Sequence, residues 1–159
     1  MSAHHPRQSY EDFARTVPAA QAALRALGKA VDESGLDKAL TELIKVRASQ
    51  INGCAFCLQM HLGIARKLGI AAEKLDLLPV WREAGVFSAR EMAALAWTEA
   101  LTTLGPDGAP DDVYAQVLAE FSAGEATFLT VSIGTINQWN RIAIALRFPV
   151  QPAWPTSAT

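Results

Sequence analysis

The stretch Cys54-Ala55-Phe56-Cys57-Leu58-Gln59-Met60-His61 holds both cysteines of the chain and a histidine one helical turn beyond the second. On a helix, residues three and four apart are neighbours. Cys54, Cys57 and His61 stand at i, i+3 and i+7 and therefore form one stripe. Two thiols so spaced can close a disulfide with modest adjustment of the first turn. An imidazole four residues after Cys57 can take its proton, directly or through one water, and the thiolate is the reactive form. Gly53 lets the backbone turn tightly ahead of the pair. The unpaired N–H groups of a helix start favour negative charge, an effect greatest at Cys54. Local reasoning thus points to Cys54 by the dipole and to Cys57 by its neighbour His61. Glu42 lies one helix earlier. A hairpin about Asn52-Gly53 would return it toward His61, where a carboxylate orients the ring and raises its basicity.

Blander roles exist for the same residues. Free cysteines are often small buried core residues. Cys54, Cys57 and His61 are three potential metal ligands, but no fourth is evident, because His4 and His5 are remote. Glu42 could pair with Lys38 or Lys45. Arg47 and Arg141 read as ion-pair residues of the surface or an interface. Trp81, Trp97, Trp139 and Phe128 read as core or subunit contacts.

The elements that must position the stripe are helical. Pro18 suits the first position of a helix through Gln21–Leu27, which Gly35 ends. Leu36, Leu40, Leu43 and Ile44, continued by Val46 and Ile51, recur at helical spacing. Asn52-Gly53 is a turn signal, and a second helix runs from there to Leu68, with Gly69 as a left-handed stop. A short helix spans about 71–77 and ends near Pro79. Ser88 and Glu91 form a capping-box pattern for a helix to about Leu104. Asp111 and Asp112 sit where a helix start favours acids, and the last helix covers about 125–147, before Pro149. No segment reads as a strand, so the fold class is all-α; a thioredoxin-like strand–helix setting for the Cys-x-x-Cys is disfavoured. Residues 1–17 read as an N-terminal segment, 18–149 as the helical domain and 150–159 as a Pro/Ser/Thr-containing tail that includes Trp154. At one fixed offset Glu42, Ser49, Cys54 and Cys57 are echoed by Glu125, Ser132, Asn137 and Asn140. A duplicated helical hairpin with one chemically dead half is one explanation and chance the other.

A chain of 159 residues, half of them apolar, suffices for one packed domain. The formal charge is −2 with no run of Lys or Arg, which argues against a nucleic-acid partner. Neither a secretory signal nor a membrane-length apolar run is present. The cytoplasm is the expected compartment, where paired cysteines more often mean redox chemistry than structural disulfides.

Glu42-x11-Cys54-x2-Cys57-x3-His61 resembles the core motif of alkylhydroperoxidase D (AhpD), within the carboxymuconolactone decarboxylase-like superfamily. The likeness extends over roughly 36–147 and includes the stretches Phe87–Thr102 and Thr135–Arg147. It implies an AhpD-like helical domain with the Cys-x-x-Cys at the start of a core helix, and a thiol peroxidase acting on hydroperoxides. By that resemblance Cys57 attacks the peroxide and Cys54 resolves the sulfenic acid as a disulfide. Glu42 and His61 relay the proton, and no bound cofactor is implied. An external dithiol, on a lipoyl-bearing or thioredoxin-like protein, restores the thiols, and the subunits assemble as trimers or hexamers. Phe56 departs from the best-described members, which carry a histidine there. The alternative on the same scaffold is a general disulfide oxidoreductase or redox-sensing module. The sister lactone decarboxylases do not depend on a Cys-x-x-Cys pair.

Overall fold

A computed structural model describes residues 5–151. Among these residues the chain forms nine α-helices and one 3₁₀ turn, with no strand beyond an isolated bridge between Gly105 and Gly108. The all-α expectation holds.

Helix α3 (Lys38–Asn52) is the centre of the molecule and packs on three others, α4 (Ala55–Lys67), α7 (Ala89–Thr102) and α9 (Ala123–Leu146). Its start is fixed by Asp37, whose carboxylate accepts from the N–H groups of Ala39 and Leu40. Its end is fixed by Gly53, left-handed at φ 69°. A residue with a Cβ is strained in that conformation, so the turn depends on glycine. Leu36, Leu40 and Ile44 face Trp97, Leu129 and Ile133. Leu43 and Val46 face the opposite side, against Ala65, Leu78, Trp81 and Leu95. With apolar residues on several sides, α3 is buried through most of its length, which places Glu42 in the interior.

The capping box of α7 forms as the sequence indicates, with Ser88 and Glu91 exchanging hydrogen bonds. Helix α8 (Asp111–Glu120) begins with its two aspartates in the first turn. Helix α9 starts two residues before the expected Glu125. Ser122 and Glu125 form a second capping box there, one the sequence reading passed over. Helix α2 (Pro18–Asp32) begins at its proline. Between α4 and α7 the chain makes α5 (Ala72–Asp76), the 3₁₀ turn Leu78–Val80 and α6 (Trp81–Ala84).

Within the N-terminal stretch, α1 (Tyr10–Thr16), capped by Ser9 and Asp12, buries Phe13 among Leu24, Phe56, Ile136 and Phe148. The two halves of the echo differ in structure. Helix α9 runs unbroken through Asn137 and Asn140, whereas the equivalent stretch breaks at Gly53 before Cys54. Glu125 caps a helix end and pairs with Arg90, while Glu42 is deep in the core. Trp154 and His4 lie outside the described residues. No helix among those described is long and apolar enough to cross a membrane.

Candidate active site

Cys54 is the N-cap of α4, and its Sγ accepts the backbone N–H of Cys57 at 3.3 Å. Both cysteines are 2 % exposed and unbridged. Gly53 forces this arrangement. It ends α3 in one step, so the first thiol occupies the place normally taken by a serine or aspartate oxygen. The hydrogen bond from the Cys57 thiol is the largest influence on Cys54 and lowers its pKa against the opposing effect of burial; the Cys57 N–H and the Asn140 amide act in the same direction. Cys57 is raised by the same hydrogen bond, by burial and by the charge on Cys54. Of the two thiols, Cys54 therefore gives up its proton the more readily and Cys57 holds its proton the longer.

Glu42, 0 % exposed, reaches His61 from α3, with its Oε2 2.6 Å from Nδ1 of the ring. Its other oxygen accepts from Lys45 at 2.9 Å and faces Lys38 at 3.3 Å. Burial alone would raise the Glu42 carboxyl, but the His61 hydrogen bond and charge, together with Lys45, hold it at about 2. Burial lowers His61, against the pull of Glu42, and the nearby Lys45 and Lys38 add to the lowering. The consistent state is an ionised Glu42 accepting from a neutral ring protonated at Nδ1. Nε2 is then a lone-pair acceptor. Sequence reasoning placed Glu42 beside either the lysines or His61; the structure gives it both.

Among the described residues His61 makes no hydrogen bond to Cys57, although both lie on α4. His61 instead lines a 150 Å³ cavity with Leu24, Val31, Met60, Ile136 and Trp139. Ser132 Oγ opens on the same cavity and is the buried side-chain polar atom without a partner among the described residues.

Behind the cysteines lies a polar network whose members stood out in the sequence for other reasons: Ser49, Asn137 and Asn140 as positions of the echo, the two asparagines lining the site if the echo is a repeat, Asn52 as part of a turn and Arg141 as an ion-pair residue. Asn140, 0 % exposed, donates to Ser49 Oγ at 3.1 Å and accepts from Asn52 Nδ2 at 2.8 Å. Asn52 Nδ2 also donates to Asn137 Oδ1 at 2.9 Å, and Arg141 holds the Asn137 carbonyl and side-chain oxygens. Arg141 is thus part of this network rather than an ion pair, whereas Arg47 does pair with Glu99, at 2.7 Å. With its amide fixed by two partners, Asn140 keeps an N–H for the sulfurs, and its hydrogen bonding lowers both thiols. Asn140→Leu is expected to move the pH profile of iodoacetamide alkylation upward and to destabilise the fold by about 2 kcal/mol, because Asn52 and Ser49 lose partners. An alkylation profile that stays put would remove Asn140 from the chemistry. The signal available in sequence was a polar residue recurring within an apolar helix pattern.

Phe56, between the cysteines, stacks in an aromatic cluster, 5.3 Å from the Phe148 ring and 6.1 Å from that of Tyr10. It closes the Cys54 side of the pair with apolar surface, where a histidine would bring a second polar group. Among the described residues no three His, Cys, Asp or Glu side chains converge as a metal-binding group.

This geometry can be set beside known proteins. The profile of the carboxymuconolactone decarboxylase family matches residues 18–100. The chain belongs to that family, as an AhpD-like member. Uncharacterized protein YdfG of Bacillus subtilis is 36 % identical over 140 residues, covering 88 % of this chain and 93 % of the relative. A crystal structure from Agrobacterium tumefaciens, of a protein of unknown function proposed as an antioxidant defence protein AhpD, is 42 % identical. Its TM-score is 0.85, with 92 % of this chain and all of that one covered. The debrominase Bmp8 shares the fold at 20 % identity and a TM-score of 0.77, covering 86 % of this chain and 74 % of its own. That likeness is one of fold alone.

Proposed function

We propose that this AhpD-like chain is a thiol peroxidase that reduces hydroperoxides through Cys57 and Cys54, with Glu42 and His61 as the proton relay. The observation that carries the reading is the pairing of a buried, unbridged Cys-x-x-Cys with a buried Glu42–His61 contact of 2.6 Å. A dithiol beside a carboxylate-oriented base is suited to moving two electrons and two protons. Cys57 attacks the terminal oxygen of the hydroperoxide and the O–O bond breaks. The thiol proton passes by way of Nε2 of His61, directly or through one water, to the departing alkoxide, which leaves as the alcohol. Cys54 then attacks the Cys57 sulfenic acid, closing the disulfide and releasing water. The cavity that His61 lines, with Arg25 and Lys45 on its wall as well as its apolar residues, would bring the peroxide to the relay, with Ser132 Oγ as a hydrogen-bond partner; neither cysteine lines it, so reaching Cys57 requires a shift of side chains.

A second reading, a general disulfide oxidoreductase, is favoured by one feature: the sulfur with the lowered pKa is Cys54, the position that starts thiol–disulfide exchange in other Cys-x-x-Cys motifs. Stopped-flow mixing of the reduced protein with hydrogen peroxide and an organic hydroperoxide separates the two. The peroxidase reading predicts loss of two thiols per peroxide consumed. Thiols that persist in excess peroxide yet exchange rapidly with a protein disulfide would give the site to the second reading.

A further inference from the structure

Cys54 lines an open groove of 820 Å³ that shares no lining residue with the His61 cavity. Phe56, Phe148 and Val150 supply its apolar wall, and Pro6, Arg7 and Arg147 also line it. The volume falls in the range of small-molecule sites. The groove's charge is of one sign, since Arg7 and Arg147 face it and no aspartate or glutamate lines it. Arg7 donates one N–H to the Ala145 carbonyl at 2.9 Å, which steadies its guanidinium without neutralising it. Among the described residues neither arginine pairs with a carboxylate.

Arg147 adds an independent observation. It caps α9 in the left-handed conformation, at φ 54° and ψ 53°, and is the one non-glycine residue with positive φ among those described. Glycine holds such a C-terminal position at no steric cost, whereas an L side chain is disfavoured there. The residue kept at this cost is an arginine that lines the groove together with Cys54. Outliers of this kind gather at functional sites.

We propose that this groove admits the reductant and selects small thiols that carry a carboxylate, held by Arg7 and Arg147 while the thiol sulfur attacks Cys54 Sγ. This rests on the reading of Cys54 and Cys57 as a redox pair. The reductant RSH bonds through sulfur to Cys54 and the Cys54–Cys57 bond breaks. Cys57 leaves with the electron pair and takes the proton that RSH loses. A second RSH attacks the mixed disulfide, releasing RSSR and the Cys54 thiol. The reductant is oxidised by two electrons and the pair reduced by two. Guanidinium–carboxylate pairs are charge-assisted and geometrically specific, so selection is by the group remote from the reacting sulfur.

The test closes the disulfide with diamide, so that it does not depend on peroxide chemistry. Reduction is then timed with 3-mercaptopropionate, 2-mercaptoethanol and cysteamine: one anionic, one neutral and one cationic thiol of similar length. Each rate is divided by that of the Arg7→Gln/Arg147→Gln double variant, which cancels the intrinsic reactivity of each thiol. The expected ratio is about five- to tenfold for 3-mercaptopropionate, near one for 2-mercaptoethanol and below one for cysteamine. High salt should collapse the first ratio. Arg7→Lys/Arg147→Lys, which keeps the charges, should retain most of the preference. Equal ratios for the three thiols, or ratios all near one, would overturn the proposal in favour of a structural role for the arginines. If the ranking holds but peroxide consumes no thiols, only the peroxidase reading falls. If diamide leaves two free thiols, both readings fall.

Discussion

Cys57→Ser is expected to lower peroxide-driven turnover by on the order of a thousandfold or more. Serine fits the 2 % exposed site with little change in volume, so the fold survives while the nucleophile is lost. Cys54→Ser should behave differently. Its Cys57 still reacts once, but no resolving thiol follows, and the protein stalls as a sulfenic acid that dimedone can trap. The distinction is informative because the two influences on the pair oppose each other. The helix start and the Cys57 N–H stabilise a thiolate at Cys54, whereas α4 places the base His61 one turn from Cys57. Attack through Cys57 requires the proton to leave it during the reaction, and the Glu42–His61 unit is the group present to receive it. If Cys54→Ser is inert toward peroxide and Cys57→Ser reacts once, the nucleophile is Cys54 and the roles are exchanged. If both variants turn over fully, the dithiol is not the site.

Glu42→Gln should produce the second largest effect. Loss of the carboxylate frees the His61 ring from its tautomer and lowers its basicity. The first oxidation should slow by about a hundredfold or more, while diamide still closes the disulfide. The same change should cost about 3 kcal/mol of stability, since Lys45 and Lys38 lose the charge they surround. Acid unfolding checks this. Glu42 stays ionised in the fold to about 2, below its ordinary 4.5. Its contribution is complete above pH 4.5 and is lost as the pH falls toward 2. His61 acts in the same sense: lowered from 6.5 by burial, it lets the unfolded chain take up a proton first as the pH drops below that value. Urea midpoints should therefore decline on acidification from pH 7, and Glu42→Gln should flatten the limb below pH 4.5. A wild-type profile that is level from pH 7 to 3 would contradict the ion-pair assignment.

The features legible in the sequence were those written in local rules. The Ser88–Glu91 box, the Asn52-Gly53 turn and the apolar spacing of Leu36, Leu40, Leu43 and Ile44 each specify backbone over a few residues. Together they place Cys54 at a helix start and Glu42 one helix before. The nearness of Glu42 to His61 followed only if the hairpin closed, which Gly53 makes it do. Asn140, Ser49 and Asn52 were not readable as a network, because each is an ordinary polar residue until α3 and α9 pack together. Helix α1 was hidden by its brevity and its polar neighbours. Its one deeply buried apolar residue, Phe13, shows its value only against Phe148 and Trp139.

Arg7 and Gln8 both donate their backbone N–H to the Leu146 carbonyl, and Tyr10 and Phe13 meet Phe148 over Phe56. The stretches 7–13 and 145–148 thus join beside Cys54, across as many as 138 residues of sequence. The entropy cost of closing so long a loop grows only slowly with its length, but contacts of such separation slow folding. The wall over Cys54 therefore draws on residues far from the thiols in sequence, and the sulfurs are sheltered only once Tyr10, Phe13 and Phe148 have met over Phe56.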